Sequence, residues 1–168
     1  MSLIQTAVIS PCLWFDHQAE EAATHYVGTF PNAKIHKIAR YPNVGQDVHG
    51  REAGSVMTVE FELEGVLFCA LNAGPAFQFN EAISLQILCD TQEQIDHYWH
   101  QLGEGGGGRS VQCGWLKDRY GVSWQVAPRI LGQLAVDPDP VRAARVFGAM
   151  MKMVKIDLAQ IERAANGG

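Results

Sequence analysis

Two short stretches of this chain occur twice, in the same order, and that repetition restricts the fold more than any single motif does. Asp16-His17-Gln18 with His25-Tyr26 downstream returns as Asp90-Thr91-Gln92 with His97-Tyr98 downstream, and Gly65-Val66-Leu67-Phe68 returns as Gly121-Val122-Ser123-Trp124. Between these marks the hydrophobic spacing changes in the same sequence each time. Val8 to Phe15 reads as a strand, and Gln18 to Phe30 as a helix with Ala19, Ala22, Ala23, Tyr26 and Val27 on one face and Asp16 placed to start it. Lys34 to Tyr41 reads as a partly exposed strand. Ser55 to Glu64 then alternates Met57, Val59, Phe61 and Leu63 against Thr58, Glu60, Glu62 and Glu64, turns at Gly65, and returns as the apolar strand Val66 to Leu71.

The second copy opens with the strand Ile83 to Cys89, followed by the helix Thr91 to Leu102, where Asp90 or Thr91 with Glu93-Gln94 resembles a capping box. Val111 to Leu116 and Val122 to Ala127 are strands around the turn Asp118-Arg119-Tyr120-Gly121. Each copy therefore runs strand, helix, three strands, which predicts a duplicated βαβββ unit of the α+β class. The glycine run Gly103 to Gly108 follows a helix rather than joining strand to helix and has no GK[ST] ending, so it reads as a flexible connector and not as a phosphate loop. The loop Pro42 to Gly54 is the segment best suited to cover a ligand.

A different kind of sequence follows. Asp139-Pro140 predicts a capped helix start, and Val141, Ala144, Phe147, Met151 and Val154 form a stripe expected to face the core. A last helix is predicted over Asp157 to Ala165. The expected organisation is one domain, with modules at 8–75 and 80–128 and a helical tail at 129–168.

Thirteen Lys and Arg against eighteen Asp and Glu give a net charge of −5, which provides no basic surface for nucleic acid. No apolar run reaches the roughly 18 residues of a spanning helix, and the first residues lack a basic, apolar leader pattern, so a cytoplasmic protein without a membrane partner is expected. The cysteines Cys12, Cys69, Cys89 and Cys113 form no CxxC pair and read as small buried hydrophobes or pocket-lining thiols. His97 and His100 lie one helical turn apart, but the other histidines show no metal spacing.

Hydrolase, NTPase and zinc-protease motifs are missing, as is the glycine-rich cofactor loop that a class I methyltransferase carries after its first strand. What the strands do offer is a set of aromatic and neutral polar residues: Cys12, Trp14, Asn72, Ser84, Gln86, Trp115 and Gln125. Such a set suits a partly apolar small molecule held by a few oriented polar contacts.

Pro11-Cys12-Leu13-Trp14-Phe15, Glu20-Glu21-Ala22-Ala23 with Tyr26, Gly54 to Phe61, Ala70-Leu71-Asn72-Ala73-Gly74-Pro75, and Cys113 to Val126 together resemble the PhnB-like branch of the vicinal-oxygen-chelate superfamily. That superfamily includes glyoxalase I, extradiol dioxygenases and bleomycin-resistance proteins. Members of the branch often carry the label 3-demethylubiquinone-9 3-methyltransferase, an activity that the missing cofactor loop speaks against. The resemblance implies two βαβββ modules forming a cupped mixed sheet, completed in a homodimer. Metal-using relatives place His or Glu on the first and last strands of each module. The corresponding positions here are Ser10 or a neighbour, a residue between Cys69 and Asn72, Ser84, and Gln125. None is an imidazole or a carboxylate. The expectation is therefore a homodimeric small-molecule binding protein with no metal and no cofactor. The alternatives are a metal-dependent lyase, isomerase or dioxygenase-like enzyme, or a thiol enzyme using Cys12 or Cys113.

Overall fold

Parallel pairing between the first and last strand of each repeat sets the architecture. The computed structural model describes residues 9–168, so the expected strand start at Val8 lies outside the described residues. The first repeat contains β1 (Cys12–Phe15), α1 (Ala19–Thr29), β2 (Ala33–Arg40), the single turn α2 (Gln46–His49), β3 (Val56–Leu63) and β4 (Val66–Asn72). Its sheet has the order β1-β4-β3-β2, with β1 parallel to β4 and the other pairs antiparallel. The second repeat contains β5 (Leu85–Cys89), α3 (Gln92–Leu102), β6 (Arg109–Ser110), β7 (Trp115–Lys117) and β8 (Ser123–Pro128). Its order, β5-β8-β7-β6, is the same, again with only the first and last strands parallel. Two compact units result, Met1–Gln78 and Phe79–Gly168, with one sheet in each. The α+β class and the duplicated βαβββ order are therefore present in the structure.

In the first unit the alternation along β3 decides which face is covered. Val59, Phe61 and Leu63 are buried with Phe15, Phe68 and Ala70 against Ala22, Ala23 and Tyr26 of α1. Phe61 stacks on Tyr26 at 6.1 Å and on Phe68 at 5.3 Å. Burying a side chain of this size contributes about 1.5–3 kcal/mol, so these rings fix the helix on the sheet. The hairpin between β3 and β4 turns through Glu64 and Gly65, both with positive φ (48° and 82°), which matches the twist of the strands it joins. Asp16 does not start α1. The helix has no side-chain cap of its own, and the Ala19 N–H instead donates to Asn72 Oδ1 at 2.8 Å, while Asp16 pairs with Arg51 at 3.3 Å. The loop from Pro42 to Gly54 carries α2 and is anchored: His49 stacks on Tyr41 at 4.7 Å, and its Nδ1 accepts from the Arg51 amide at 3.0 Å.

In the second unit Thr91 caps α3 with the reciprocal bonds of a capping box to Gln94. The glycine run is not a flexible connector. It forms a 3-10 turn, Glu104–Gly106, in which a Cβ at Gly105 would strike the His100 ring and one at Gly108 would strike the carbonyl oxygens of Leu102 and Lys117. Close packing, not chain freedom, explains glycine there. The tail adds α4 (Ile130–Leu134), α5 (Pro140–Met150) and α6 (Leu158–Asn166). Asp139 caps α5 as expected, and Asp157, read as the first residue of the last helix, instead caps α6. The face of α5 differs from expectation. Val146, with Ala149, Met150 and Met153, packs against Leu134, Ile156, Ile161 and Ala165, whereas Val141, Phe147, Met151 and Val154 are exposed. Spacing alone offers two apolar faces on this helix, and the docking of α6 selects the other one. No helix among the described residues is long and apolar enough to cross a membrane.

Candidate functional site

Register brings three of the expected residues into one row. Gln86 on β5 is the Cα partner of Gln125 on β8, and Gln125 is the partner of Trp115 on β7. Partners in register share a face, so the row crosses the sheet on the side away from buried Ile87, Leu116, Trp124 and Val126. Gln125 Nε2 donates to Ser84 Oγ at 2.8 Å, and Gln86 Nε2 donates to Gln125 Oε1 at 3.2 Å. The chain of neutral bonds orients both amides. It leaves the Gln86 carbonyl oxygen and the Ser84 hydroxyl proton without a partner among the described residues. Two positions along β8, the Ser123 hydroxyl is buried and likewise unpartnered. Its register neighbour Lys117 pairs with Glu81 and holds the Glu81 carboxyl below the usual carboxylate range.

The remaining expected residues lie in the first unit. Trp14 donates its indole N–H to the Gly74 carbonyl at 2.8 Å and meets the exposed Phe77 ring edge-on at 4.9 Å. Asn72 is not a free contact. Its Oδ1 caps α1, its Nδ2 donates to the Val56 carbonyl at 3.1 Å, and its own carbonyl accepts from Tyr41 Oη at 2.6 Å. Both ends of the carboxamide are consumed by the fold, which departs from the expected ligand contact. Cys12 is exposed and stands in register with Cys69, which in turn faces Glu60 on β3. Burial, the neighbouring Cys12 and Glu60 push the Cys69 thiol up to about 11. Of the four cysteines only Cys89 is buried, against the general expectation of buried thiols. The linear sequence hides the Cys12–Cys69 pairing, and only the repeat, in which Cys69 is the counterpart of Gln125, signals it.

The donor set does not fit a divalent metal. Ser10 Oγ donates to the Leu67 carbonyl at 2.8 Å, Asn72 is committed as described, and Ser84 and Gln125 hydrogen-bond each other. A hard or borderline cation needs charged oxygens or imidazoles to offset its dehydration. Among the described residues no three His, Cys, Asp or Glu side chains are grouped to hold one. His97 and His100 do not make a metal pair, since the His97 ring lies edge-on to Tyr98 at 5.0 Å and the His100 ring packs over Gly105. A cavity of about 200 Å³ lies on the tail side of the second unit, between Cys89, Arg129, Leu158 and Glu162, away from the row.

The profile of the family described as 3-demethylubiquinone-9 3-methyltransferase matches residues 7–127. A PhnB protein from Bacillus cereus, described under the same methyltransferase name, is 33% identical over 70% of this chain and 96% of its own, with a TM-score of 0.61. Protein PA1353 from Pseudomonas aeruginosa shares the fold at 18% identity and a TM-score of 0.59, covering 73% of this chain and 98% of its own. A variant of the fosfomycin resistance protein FosX from Listeria monocytogenes, complexed with Mn(II) and 1S,2S-dihydroxypropylphosphonic acid, shares it at 12% identity and a TM-score of 0.51, covering 73% and 92%. No curated protein matches. The chain belongs to the PhnB-like family described as 3-demethylubiquinone-9 3-methyltransferase, within the vicinal-oxygen-chelate superfamily.

Proposed function

We propose that the chain binds a small, partly apolar molecule on the open face of the second unit's sheet, without a divalent metal or other cofactor. Ser84, Gln86 and Gln125 supply the polar contacts and Trp115 the apolar wall. One observation carries this reading: the Ser84–Gln125–Gln86 hydrogen-bond chain holds two amides in fixed orientation beside an indole and leaves a donor and an acceptor to spare. Preorganised neutral groups of this kind select a ligand by direction rather than by charge. Exposed Cys12 and half-buried Trp14 lie two residues apart on one face of β1 in the first unit, and their contribution to binding is part of the same proposal.

The donor chemistry above does not support a divalent metal such as the Mn(II) with which the FosX variant is complexed. Nor does the family's descriptive name carry an activity here, because β1 passes into α1 through Asp16-His17-Gln18 with no glycine. We take the protein to act in the cytoplasm as a homodimer, a reading supported by the apolar residues that α5 leaves uncovered. Light scattering checks this against twice 18.5 kDa.

Native mass spectrometry of the chain purified gently from its own cells tests the proposal. A retained small-molecule adduct that is lost in Gln125→Leu and Gln86→Leu is expected. An adduct unaffected by both variants, or a stoichiometric divalent metal in the same sample, contradicts it.

A further inference from the structure

We propose that Cys12 and Cys69 form a two-electron oxidation site for small hydroperoxides, closing reversibly into a disulfide between β1 and β4. The inference stands independently of the ligand reading. The two cysteines are Cα partners on adjacent parallel strands, so both thiols leave the sheet on the same face. Neighbouring strands lie about 4.8 Å apart, inside the roughly 4.4–6.8 Å that Cα atoms span across a disulfide.

The two sulfurs differ in a way that orders the steps. Cys12 is exposed, while Cys69 is half-buried behind it, and burial together with Cys12 and Glu60 pushes the Cys69 thiol up to about 11. Glu60 is itself paired with Lys37 at 2.8 Å. Cys12, as thiolate, attacks the terminal peroxide oxygen. The O–O bond breaks, the leaving alkoxide or hydroxide takes up a proton, and Cys12 becomes a sulfenic acid. That product is neutral, so of the three influences that hold the Cys69 proton, burial and Glu60 remain and the Cys12 charge is removed. Cys69 then attacks the Cys12 sulfur and displaces hydroxide, which departs as water with the Cys69 proton. In sum, two thiols and one hydroperoxide give one disulfide, one alcohol and one water.

The same register makes the bond easy to reverse. Cβ atoms of in-register parallel neighbours stand about as far apart as the strands, about 4.8 Å, beyond the roughly 3.5–4.5 Å of a relaxed disulfide. Closure must draw β1 and β4 together, and a strained disulfide is more readily reduced. Cys113 provides an internal control. It lies in the other unit, its Sγ 3.7 Å from Met151 Sδ, with no second thiol as partner.

The test treats the reduced full-length chain with one equivalent of hydrogen peroxide and maps the products by peptide mass spectrometry. A Cys12–Cys69 linkage within one chain is expected in wild type and in Cys113→Ser, with the loss of two of the four thiols, and its reversal by reduced glutathione. In Cys69→Ser, dimedone should trap a sulfenic acid at Cys12. Oxidation of Cys113 while Cys12 and Cys69 stay free overturns the proposal, as does a linkage only between chains or a bond that glutathione leaves intact. The wild-type map decides the matter even where a variant fails to fold.

Discussion

Asn72, at the end of β4, accepts the Ala19 N–H on its side-chain oxygen at 2.8 Å, so the last strand of the first module caps the module's helix across 53 residues. The same side chain donates to the Val56 carbonyl on β3. One buried residue thus ties a helix start to two strands. Asn72→Ala leaves the Ala19 donor and the Val56 acceptor unpaired, and each such loss costs about 1–3 kcal/mol. Urea unfolding should show a destabilisation of about 2–6 kcal/mol on that basis. Asn72→Asp, which keeps the acceptor toward Ala19, should cost less. A wild-type midpoint for Asn72→Ala would show that the cap is dispensable.

Asp118 performs the corresponding service in the second module. It is buried, and its carboxylate accepts from the Tyr120 amide at 2.9 Å, the Val122 amide at 3.0 Å and the Trp124 indole N–H at 2.8 Å. Those three donors shape the turn that delivers β8, and hence Gln125, to the sheet. Hydrogen bonds to a charged acceptor are worth about 1.5–3 kcal/mol each, and they share one group here. Asp118→Ala is expected to destabilise by about 3 kcal/mol or more on that scale and to shift the emission of Trp124. Denaturant unfolding followed by tryptophan fluorescence reads both. An unchanged spectrum with an unchanged midpoint would remove Asp118 from this role.

These two residues also mark where the sequence stops being informative. The βαβββ repeat, the β3 alternation, the Thr91 capping box and the Asp139 cap are local patterns, so their consequences are visible in the chain itself. The cap on α1 is not, because Asn72 lies 53 residues from the amide it holds and Asp16 is the better local candidate. Likewise, α5 carries apolar residues on two faces, and only its packing on α6 decides between them. The Gln86, Gln125 and Trp115 row, with Ser84 hydrogen-bonded to it, was legible in residue type, and its alignment follows from strand register, which pairs residues far apart in sequence. The Cys12–Cys69 neighbourhood is likewise hidden from local pattern and is signalled only through the repeat.

Glycines provide a paired prediction of opposite sign. A Cβ added to Gly28 in α1 or to Gly148 in α5 meets nothing within 4 Å. Alanine in a helix is favoured over glycine by about 0.5–1 kcal/mol, so Gly28→Ala and Gly148→Ala should each stabilise by up to that amount. At Gly108 the added carbon would collide with the Leu102 and Lys117 carbonyl oxygens, which are backbone and cannot swing aside. Gly108→Ala should therefore lower the thermal midpoint clearly. If Gly108→Ala melts at or above wild type, the turn is looser than its packing indicates.

Buried Cys89 and half-buried Cys69 make stability fall in alkali. Burial beside Asp90 pushes the Cys89 thiol from its ordinary 9.0 up to about 11, and Cys69 moves to about 11 through burial, Cys12 and Glu60. An unfolded chain releases these protons near pH 9, while the folded chain keeps them until near pH 11. Between those values the native state binds more protons, so the free energy of unfolding decreases as pH rises; below pH 9 the contribution is complete and flat. Other groups titrate in the same range, so the comparison with variants isolates the thiols. The urea midpoint of wild type should drop between pH 9 and pH 11 more steeply than that of Cys89→Ala, and more steeply than that of Cys69→Ala. Parallel profiles for all three proteins would show that neither thiol holds its proton more tightly in the fold.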